Sequence, residues 1–289
     1  MLYFYSMFFV LYDDQLISAD TPIIKSGNRG LRYGDGLFET MKCVDGRIHL
    51  LPYHFERLWQ GALALQMEFP RLFTPKYVEE QIFRLLHKNG HLSFSRIRIS
   101  LFRGQGGLYD PEHHHPQLLI ESWPLSDAYR SLNNNGLHLC LYDQARKSPD
   151  AFSQFKHNNF LPYLMGAIEA KKQRCNDAII INSHGYVCDT TIANLFIIKD
   201  NIISTPPLED GGVAGIMRKL LMEHLPKLGY ETKEQSLLPA DIANADEVFL
   251  SNALFGIRWA GRYNDATYTN IAIQKIYGEL RQTSPVLFC

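Results

Sequence analysis

Apolar and polar residues alternate along several stretches of the chain, which is the pattern of half-buried β-strands. The clearest stretch is 96–102, where arginine and isoleucine alternate up to Ser100. Residues 38–44 and 47–51 flank the dipeptide Asp45-Gly46, whose residue types favour a type I′ turn, so they predict an antiparallel hairpin. Other strands are predicted at 8–18, folded as a hairpin about Asp13-Asp14, and at 117–123, 137–142, 178–182, 186–189, 193–198, 201–204 and 247–251.

Elsewhere apolar residues recur every three or four positions, and this spacing predicts helices. It is clear over 52–67. A second helix is predicted over 74–89, with Thr74 as its N-cap and Pro75 as its first residue. Further helices are predicted at 159–172, 215–228 and 269–280. Strands and helices therefore occur together throughout the chain, which indicates an α+β protein.

The segment 124–136 interrupts this regular pattern. It is polar, lacks apolar periodicity and ends in a run of asparagine and glycine, so we expect a linker there. The chain then divides into an N-terminal α/β lobe over 1–123 and a C-terminal lobe over 137–289.

The composition is that of an ordinary globular protein. Of 289 residues, 46% are hydrophobic and 20% are charged, which excludes a disordered, collagen-like or coiled-coil chain. The formal net charge of −1 gives no general attraction to nucleic acid or to an anionic membrane, so neither is an expected partner. The apolar N-terminus lacks the basic residues and cleavage site of a signal peptide and is too short to span a bilayer, so we expect it to form the first strand.

Cysteine and histidine do not indicate a metal site. The five cysteines are widely spaced and form no CxxC pair, which is typical of reduced thiols in a cytoplasmic protein. His113, His114 and His115 are consecutive, and adjacent side chains of an extended segment point in alternating directions. We therefore expect no metal and a cytoplasmic location.

A glycine-rich loop at 211–215 leads directly into the predicted helix at 215–228. The first backbone amides of that helix belong to Ile216 and Met217, and such amides lack partners within a helix. Together with the helix dipole they favour an anion such as a phosphate. A plain turn from loop to helix is the alternative.

Two single residues also have chemical potential. Lys156 precedes a predicted helix and lies among apolar residues, where an amine is able to act as a nucleophile that forms a Schiff base. A surface lysine is the alternative reading. Asp189 ends a predicted strand, and it is either a turn residue or a buried carboxylate that needs a cationic partner.

These features recur within six blocks whose order is informative. The blocks are RGLRYGDGLFET (29–40), HFERL (54–58), the region of Lys156, GYVCDTTIANLFI (185–197), STPPLEDGGVAGIMR (204–218) and EVFLSNAL (247–254). In this order they make the chain resemble the class IV aminotransferase family, the fold-type IV pyridoxal-phosphate enzymes. The resemblance covers about residues 7–280. It implies two mixed α/β lobes of the D-amino acid aminotransferase-like architecture, pyridoxal 5′-phosphate as cofactor, and a homodimer.

The resemblance also implies roles for particular residues. Lys156 corresponds to the lysine that forms the Schiff base with the cofactor and moves the substrate's α-proton. Asp189 stands where the family usually has a glutamate that pairs with the pyridinium nitrogen, and it is one methylene shorter. The implied phosphate contacts are Arg57, Ile216, Met217, Asn252 and Ala253, and the implied substrate-side residues are Tyr33, Phe38, Arg103 and Tyr109.

The reaction itself is left with two readings. GVAGIMRK, SNAL and the block Arg103–Gly107 are most similar to aminodeoxychorismate lyases, which eliminate pyruvate to leave 4-aminobenzoate for folate biosynthesis. Leu108, however, stands where many of these lyases have an arginine that holds a substrate carboxylate. Transamination, of the branched-chain or D-amino acid type, is therefore equally open. A binding protein of the same fold without catalysis and a partner-binding protein without cofactor are the alternatives from other classes.

Overall fold

Two β-sheets organise the chain in the computed structural model, which describes residues 9–284. Backbone contacts divide the chain into two units. One unit extends to Ser126 and includes Phe155–Asn159, and the other contains Asp127–Gln154 and the chain from Phe160 onward. The beginning of the predicted first strand, up to residue 8, and Cys289 lie outside the described residues.

The first unit contains a six-stranded sheet in the order β2-β1-β6-β5-β3-β4, and all its neighbouring strands are antiparallel. Asp45 and Gly46 both have positive φ, as the predicted type I′ turn requires, so that hairpin is confirmed. The hairpin about Asp13-Asp14 is confirmed as well. The strands are β1 (Phe9–Tyr12), β2 (Gln15–Ser18), β3 (Gly36–Val44), β4 (Arg47–Ile48), β5 (Phe94–Arg103) and β6 (Pro116–Pro124).

Three helices belong to the same unit: α1 (Arg29–Tyr33), α2 (Leu51–Ala64) and α3 (Pro75–Asn89). The hydroxyl of Thr74 accepts a hydrogen bond from the amide of Tyr77 at 3.1 Å, which confirms the predicted N-cap. The α2 helix ends earlier than predicted, and Gln66 takes a positive φ just beyond it. The apolar residues of α2 and α3 form one core with those of β3, β5 and β6, which fixes both helices on this sheet.

The second unit contains a nine-stranded mixed sheet in the order β12-β11-β10-β13-β14-β7-β8-β9, with β15 paired to β14. Three pairs are parallel, namely β11 with β12, β14 with β7, and β7 with β8. The strands are β7 (Leu137–Lys147), β8 (Asp177–Asn182), β9 (Val187–Thr190), β10 (Asn194–Lys199), β11 (Ile202–Thr205), β12 (Glu231–Glu234), β13 (Glu247–Asn252), β14 (Gly256–Tyr263) and β15 (Ala266–Thr267). The helices are α4 (Leu161–Lys172), α5 (Ile216–His224), α6 (Pro239–Ala243) and α7 (Ile271–Thr283).

The predicted helix at 215–228 is too long. The α5 helix ends at His224, and a 3₁₀ turn at Pro226–Leu228 follows it. Proline has no backbone N–H to continue the helix, which explains the early end. Among the described residues, no helix has both the length and the apolar character needed to cross a membrane.

The short segment around Lys156 belongs to the first unit, although the predicted division put it in the C-terminal lobe. The amide of Phe38 donates to the carbonyl of Lys156 at 2.8 Å, and the amide of Asn158 donates to the carbonyl of Gly36 at 2.9 Å. Leu37 and His157 form a β-bridge between these two bonds. The backbone of Lys156 is thereby fixed beside β3.

Candidate active site

Two cationic side chains, from two different segments of the chain, contact the ring of Phe38. The Nζ of Lys156 lies 4.6 Å from the ring centroid, and the guanidinium of Arg98 lies 3.8 Å from it. The Lys156 residue as a whole is half-buried. Lys156 and Phe38, two residues predicted to be functional, are therefore in contact. Arg98 was not predicted, because the alternation at 96–102 gives it the ordinary role of a polar strand residue.

The next residue of β3, Glu39, is the centre of a buried ionic cluster. Arg57 donates from Nε to one carboxylate oxygen and from Nη2 to the other, both at 2.7 Å. The Nδ1 of His54 lies 2.7 Å from the second oxygen. Arg57 and His54 are three residues apart on α2 and so face the same way. Two residues of the HFERL block, His54 and Arg57, therefore bind the carboxylate of Glu39 on β3, a partner that no local sequence pattern indicated.

Burial and charge determine the protonation of this cluster. Burial alone would raise the pKa of Glu39, but Arg57 and His54 outweigh it and lower that pKa to about 2. Burial lowers the pKa of His54, so its ring is neutral and donates from Nδ1 to the carboxylate. Arg57 thus has a fixed guanidinium plane, and its contact with a cofactor phosphate stays a prediction.

In the second unit, Asp189 lies on β9 and only 2% of its surface is exposed, so it is a buried carboxylate. Its Oδ2 accepts hydrogen bonds from the Tyr163 hydroxyl at 2.8 Å and from the Val213 amide at 3.0 Å. Lys147 donates from Nζ to the Tyr163 oxygen at 2.6 Å. Neither Tyr163 nor Lys147 was predicted, because nothing in the sequence pattern connects three residues so far apart.

The loop before α5 is held close to this carboxylate. A Cβ on Gly212 would lie 2.7 Å from the carbonyl oxygen of Cys188, and one on Gly215 would collide with the side-chain oxygen of Asn194. Asn194 also donates to the carbonyl of Val213 at 2.8 Å. Only glycine permits this approach at both positions, and the approach places the start of α5 near β9.

The start of α5 has the features of an anion site. Its N-cap is Gly215, which has no side chain to accept from the first helical amides. The side chains of Ile216 and Met217 are buried, so what the helix start can offer a ligand is backbone N–H. These donors and the helix dipole together suit a phosphate group.

The other two residues predicted to contact the phosphate lie at the end of β13 and directly after it. The side-chain oxygen of Asn252 accepts from the amides of Leu254 and Phe255 at 2.9 and 3.0 Å, and its amide donates to the carbonyl of Ile192 at 3.2 Å. Ala253 lies within the turn that these bonds hold. The side chain of Asn252 therefore stabilises the turn, and the role of Asn252 and Ala253 at a phosphate stays a prediction.

Only some of the residues predicted to contact the substrate lie close to one another in the structure. The rings of Tyr33 and Tyr109 are 5.5 Å apart. Leu108, which follows the glycine block and precedes Tyr109 in the sequence, is exposed. Arg103 is buried, and it donates to Asp35 at 2.6 Å and to the carbonyl of Leu65. Arg103 thus has a structural partner, and its role with substrate stays a prediction.

Comparison with known proteins identifies the class to which this fold belongs. Residues 36–261 match the family described as amino-transferase class IV. The chain is 30% identical to an aminodeoxychorismate lyase of Vibrio harveyi over 233 residues, which are 80% of this chain and 84% of that protein. The chain belongs to the class IV aminotransferase family, and it is a pyridoxal-phosphate-dependent enzyme.

Solved structures show the same fold. A branched-chain aminotransferase from Thermoproteus uzoniensis with norvaline has a TM-score of 0.86 and 23% identity, over 96% of this chain and 94% of that one. A branched-chain aminotransferase of T.th. with pyridoxamine 5′-phosphate has a TM-score of 0.84 and 21% identity, over 96% and 95% of the two chains. The predicted fold class, two mixed α/β lobes of the fold-type IV architecture, is confirmed.

The donor groups of the structure fit pyridoxal 5′-phosphate. The start of α5 suits the phosphate, the amine of the half-buried residue Lys156 suits the aldehyde, and the buried carboxylate of Asp189 suits a protonated ring nitrogen. Each group is of the chemical type that the corresponding part of the cofactor requires.

We expect Gly215→Ala to weaken the binding of pyridoxal phosphate by about tenfold or more, because the new methyl group displaces the loop from Asn194 and with it the amides at the start of α5. The dissociation constant, measured by absorbance titration, checks this. Gly278→Ala in α7 is the matched control, since a Cβ there meets no atom within 4 Å. Equal affinity of the Gly215→Ala and wild-type proteins would contradict the role of the helix start.

Glu39 should make the stability of the protein fall in acid. Since its pKa is lowered to about 2 in the folded state, its contribution is complete above the unfolded value near 4.5 and is lost as the pH falls towards 2. We expect about 3 kcal/mol of the free energy of unfolding to disappear over this range. Urea unfolding at pH 5, 4, 3 and 2 measures it. Glu39→Gln should flatten this dependence, whereas the exposed Glu80→Gln should leave it as in the wild type.

Proposed function

We propose that the protein is a 4-amino-4-deoxychorismate lyase, in which Lys156 is the catalytic amine and which releases pyruvate and 4-aminobenzoate. The observation that carries this choice is the 30% identity with the Vibrio harveyi lyase over most of both chains. The blocks at Arg103–Gly107, at the start of α5 and at the end of β13 support the same choice. The product is an aromatic amine of the kind that folate biosynthesis consumes.

Lys156 performs two tasks in this proposal. Its Nζ would hold the cofactor at the aldehyde carbon. The same amine, when it is free, would act as the base that takes the proton to be removed from the substrate. The cofactor, when bound, supplies the electron sink for that proton loss. The backbone bonds of residues 156 and 158 to β3 support this role because they fix the position from which the amine acts.

The remaining residues orient the cofactor. We propose that the amides of Ile216 and Met217, with Arg57, Asn252 and Ala253, bind its phosphate. Glu39 holds the plane of the Arg57 guanidinium through two hydrogen bonds. We propose that Asp189 keeps the ring nitrogen protonated, since a buried carboxylate stabilises a neighbouring cation.

For the substrate carboxylate we propose Arg98 in preference to Arg103. Arg103 is bonded to Asp35, whereas the Arg98 guanidinium lies over the same Phe38 ring as Lys156. Its contact with Glu121 is long, at 4.0 Å. Tyr33, Phe38 and Tyr109 then line the substrate side.

Transamination of an amino acid is the second candidate. The exposed Leu108 favours it, because a cation at this position is expected of many lyases and none is present there. Both reactions would use the amine of Lys156 and an amino substrate, and they would differ in which bond of the substrate breaks.

We also propose that the protein is a cytoplasmic homodimer. Four apolar side chains of α4 are 40–65% exposed at helical spacing and so form one face, namely Leu161, Leu164, Met165 and Ile168. A second copy of the chain would remove this face from water. The cysteines within the described part of the chain carry no disulfide, which supports a reducing compartment.

The visible absorbance of the protein with added pyridoxal phosphate tests the reaction. For a lyase we expect a band that amino acids leave unchanged, and formation of pyruvate and 4-aminobenzoate from 4-amino-4-deoxychorismate. A band that bleaches with one member of a panel of D- and L-amino acids, without pyruvate from the chorismate derivative, would establish the transaminase instead.

Lys156→Ala should abolish both the visible band and turnover, because it removes the amine that binds the cofactor covalently. Absorbance and product assays on the reconstituted protein measure the two losses. The exposed Lys171→Ala is the matched control and should retain both. Full activity of Lys156→Ala would show that the lysine is wrongly assigned.

A further inference from the structure

A lysine, a tyrosine and an aspartate form a continuous buried row in the second unit. Lys147 ends β7, Tyr163 lies in the first turn of α4, and Asp189 lies on β9. Their exposed fractions are 6%, 6% and 2%. The Nζ of Lys147 is 2.6 Å from the Tyr163 oxygen, which is 2.8 Å from Oδ2 of Asp189. Two of these three residues have no part in the function proposed above.

The hydrogen atoms of this row have only one consistent arrangement. An ammonium group donates and never accepts, so Tyr163 accepts from Lys147. The single hydroxyl proton of Tyr163 is then donated to Asp189. Burial and the neighbouring carboxylate raise the pKa of Tyr163 well above its ordinary value, so the phenol keeps that proton. The row is therefore a cation and an anion joined through a neutral hydroxyl.

The row also provides Lys147 with its access to a negative charge. Lys147 donates to the carbonyl of Ser153, at 3.1 Å, and to the Tyr163 oxygen, and both of these acceptors are neutral. A buried ammonium group without a counter-charge is costly. The carboxylate of Asp189, one hydroxyl away, supplies the compensation.

Two donors to Asp189 meet the same oxygen. Tyr163 approaches Oδ2 from α4, and the amide of Val213 approaches it from the glycine-rich loop. Two donors on one oxygen prevent the carboxylate from rotating about its Cβ–Cγ bond, so they also fix the direction of Oδ1. An aspartate has a shorter reach than a glutamate and therefore depends more on being held in one direction.

We propose that Tyr163, itself held by Lys147, is a positioning residue that directs the Asp189 carboxylate towards the ring nitrogen of the cofactor. This inference rests on the proposed function, because it presupposes that Asp189 faces that nitrogen. It assigns Tyr163 no contact with substrate or with the cofactor. It explains why a tyrosine occupies a buried site that a phenylalanine would fill equally well by volume.

The test compares the affinity of the protein for two compounds, pyridoxal 5′-phosphate and its 1-deaza analogue, in which carbon replaces the ring nitrogen. Only the first is able to interact with Asp189 through that atom. The dissociation constant of the analogue divided by that of pyridoxal phosphate therefore reports the contact with the ring nitrogen. A general loosening of the fold weakens the binding of both compounds equally and leaves this ratio unchanged. In Tyr163→Phe we expect the ratio to fall about tenfold, which is the effect of losing one charge-assisted hydrogen bond.

Tyr268→Phe is the matched control. Its hydroxyl is also buried and donates at 2.7 Å, but to the carbonyl of Ile242 and not to Asp189. We expect the wild-type ratio in this variant. If Tyr163→Phe fails to fold because Lys147 loses its partner, the double variant Lys147→Met/Tyr163→Phe removes the buried charge together with the hydroxyl, and the same fall is expected.

Each other result has a separate meaning. A wild-type ratio in Tyr163→Phe or in the double variant would overturn the positioning role while leaving the proposed function intact. A ratio of one in the wild type would overturn both the assignment of Asp189 and the inference built on it. If the unaltered protein formed no visible band with pyridoxal phosphate, the proposed function itself would fail, and this inference with it.

Discussion

The pairing of residues 156–158 with β3 is the constraint on which the candidate site depends. Two backbone hydrogen bonds and a β-bridge hold this segment against Gly36, Leu37 and Phe38. A side chain at Gly36 would crowd the carbonyl of Leu101 and the side chain of Asn158, so the glycine is what allows the segment to approach. The backbone of Lys156, the residue proposed for catalysis, is therefore positioned by strand geometry, which is more rigid than a loop.

Two buried carboxylates are stabilised in different ways within the two units. Glu39 is bonded directly to Arg57 and His54 and is held firmly ionised. Asp189 is held by an amide and a phenol, and its cation is one residue further away. Removing one partner of a buried ion pair typically lowers the free energy of unfolding by about 3–5 kcal/mol. Both arrangements therefore contribute to the stability of the fold as well as to the chemistry of the candidate site. The direct pair fixes the orientation of a cation, whereas the indirect row fixes the orientation of an anion.

The sequence was informative wherever the determining interaction is local. The type I′ turn, the Thr74 cap and most strands depend on neighbouring residues and were predicted correctly. The α1 helix, α6 and the strands β12, β14 and β15 were missed. β12, for example, is a polar stretch that becomes a strand only through backbone pairing with β11. Arg103 shows the same limit, since its bond to Asp35 depends on the pairing of strands. The row from Lys147 to Asp189 joins three elements of the second unit, so no window of the sequence contains it.

The path of the chain also determines whether one cut in the backbone separates the two units. The chain leaves the first unit after Ser126, forms β7 in the second, returns for Phe155–Asn159 and leaves again at Phe160. A single cut after Ser126 would therefore not yield the two units. It would separate β3 from the five residues that complete the first unit, and the amino-terminal fragment would lack Lys156. The chain thus passes from one unit to the other three times. The lysine proposed for catalysis belongs to the first unit, but the residues on both sides of its short segment belong to the second unit.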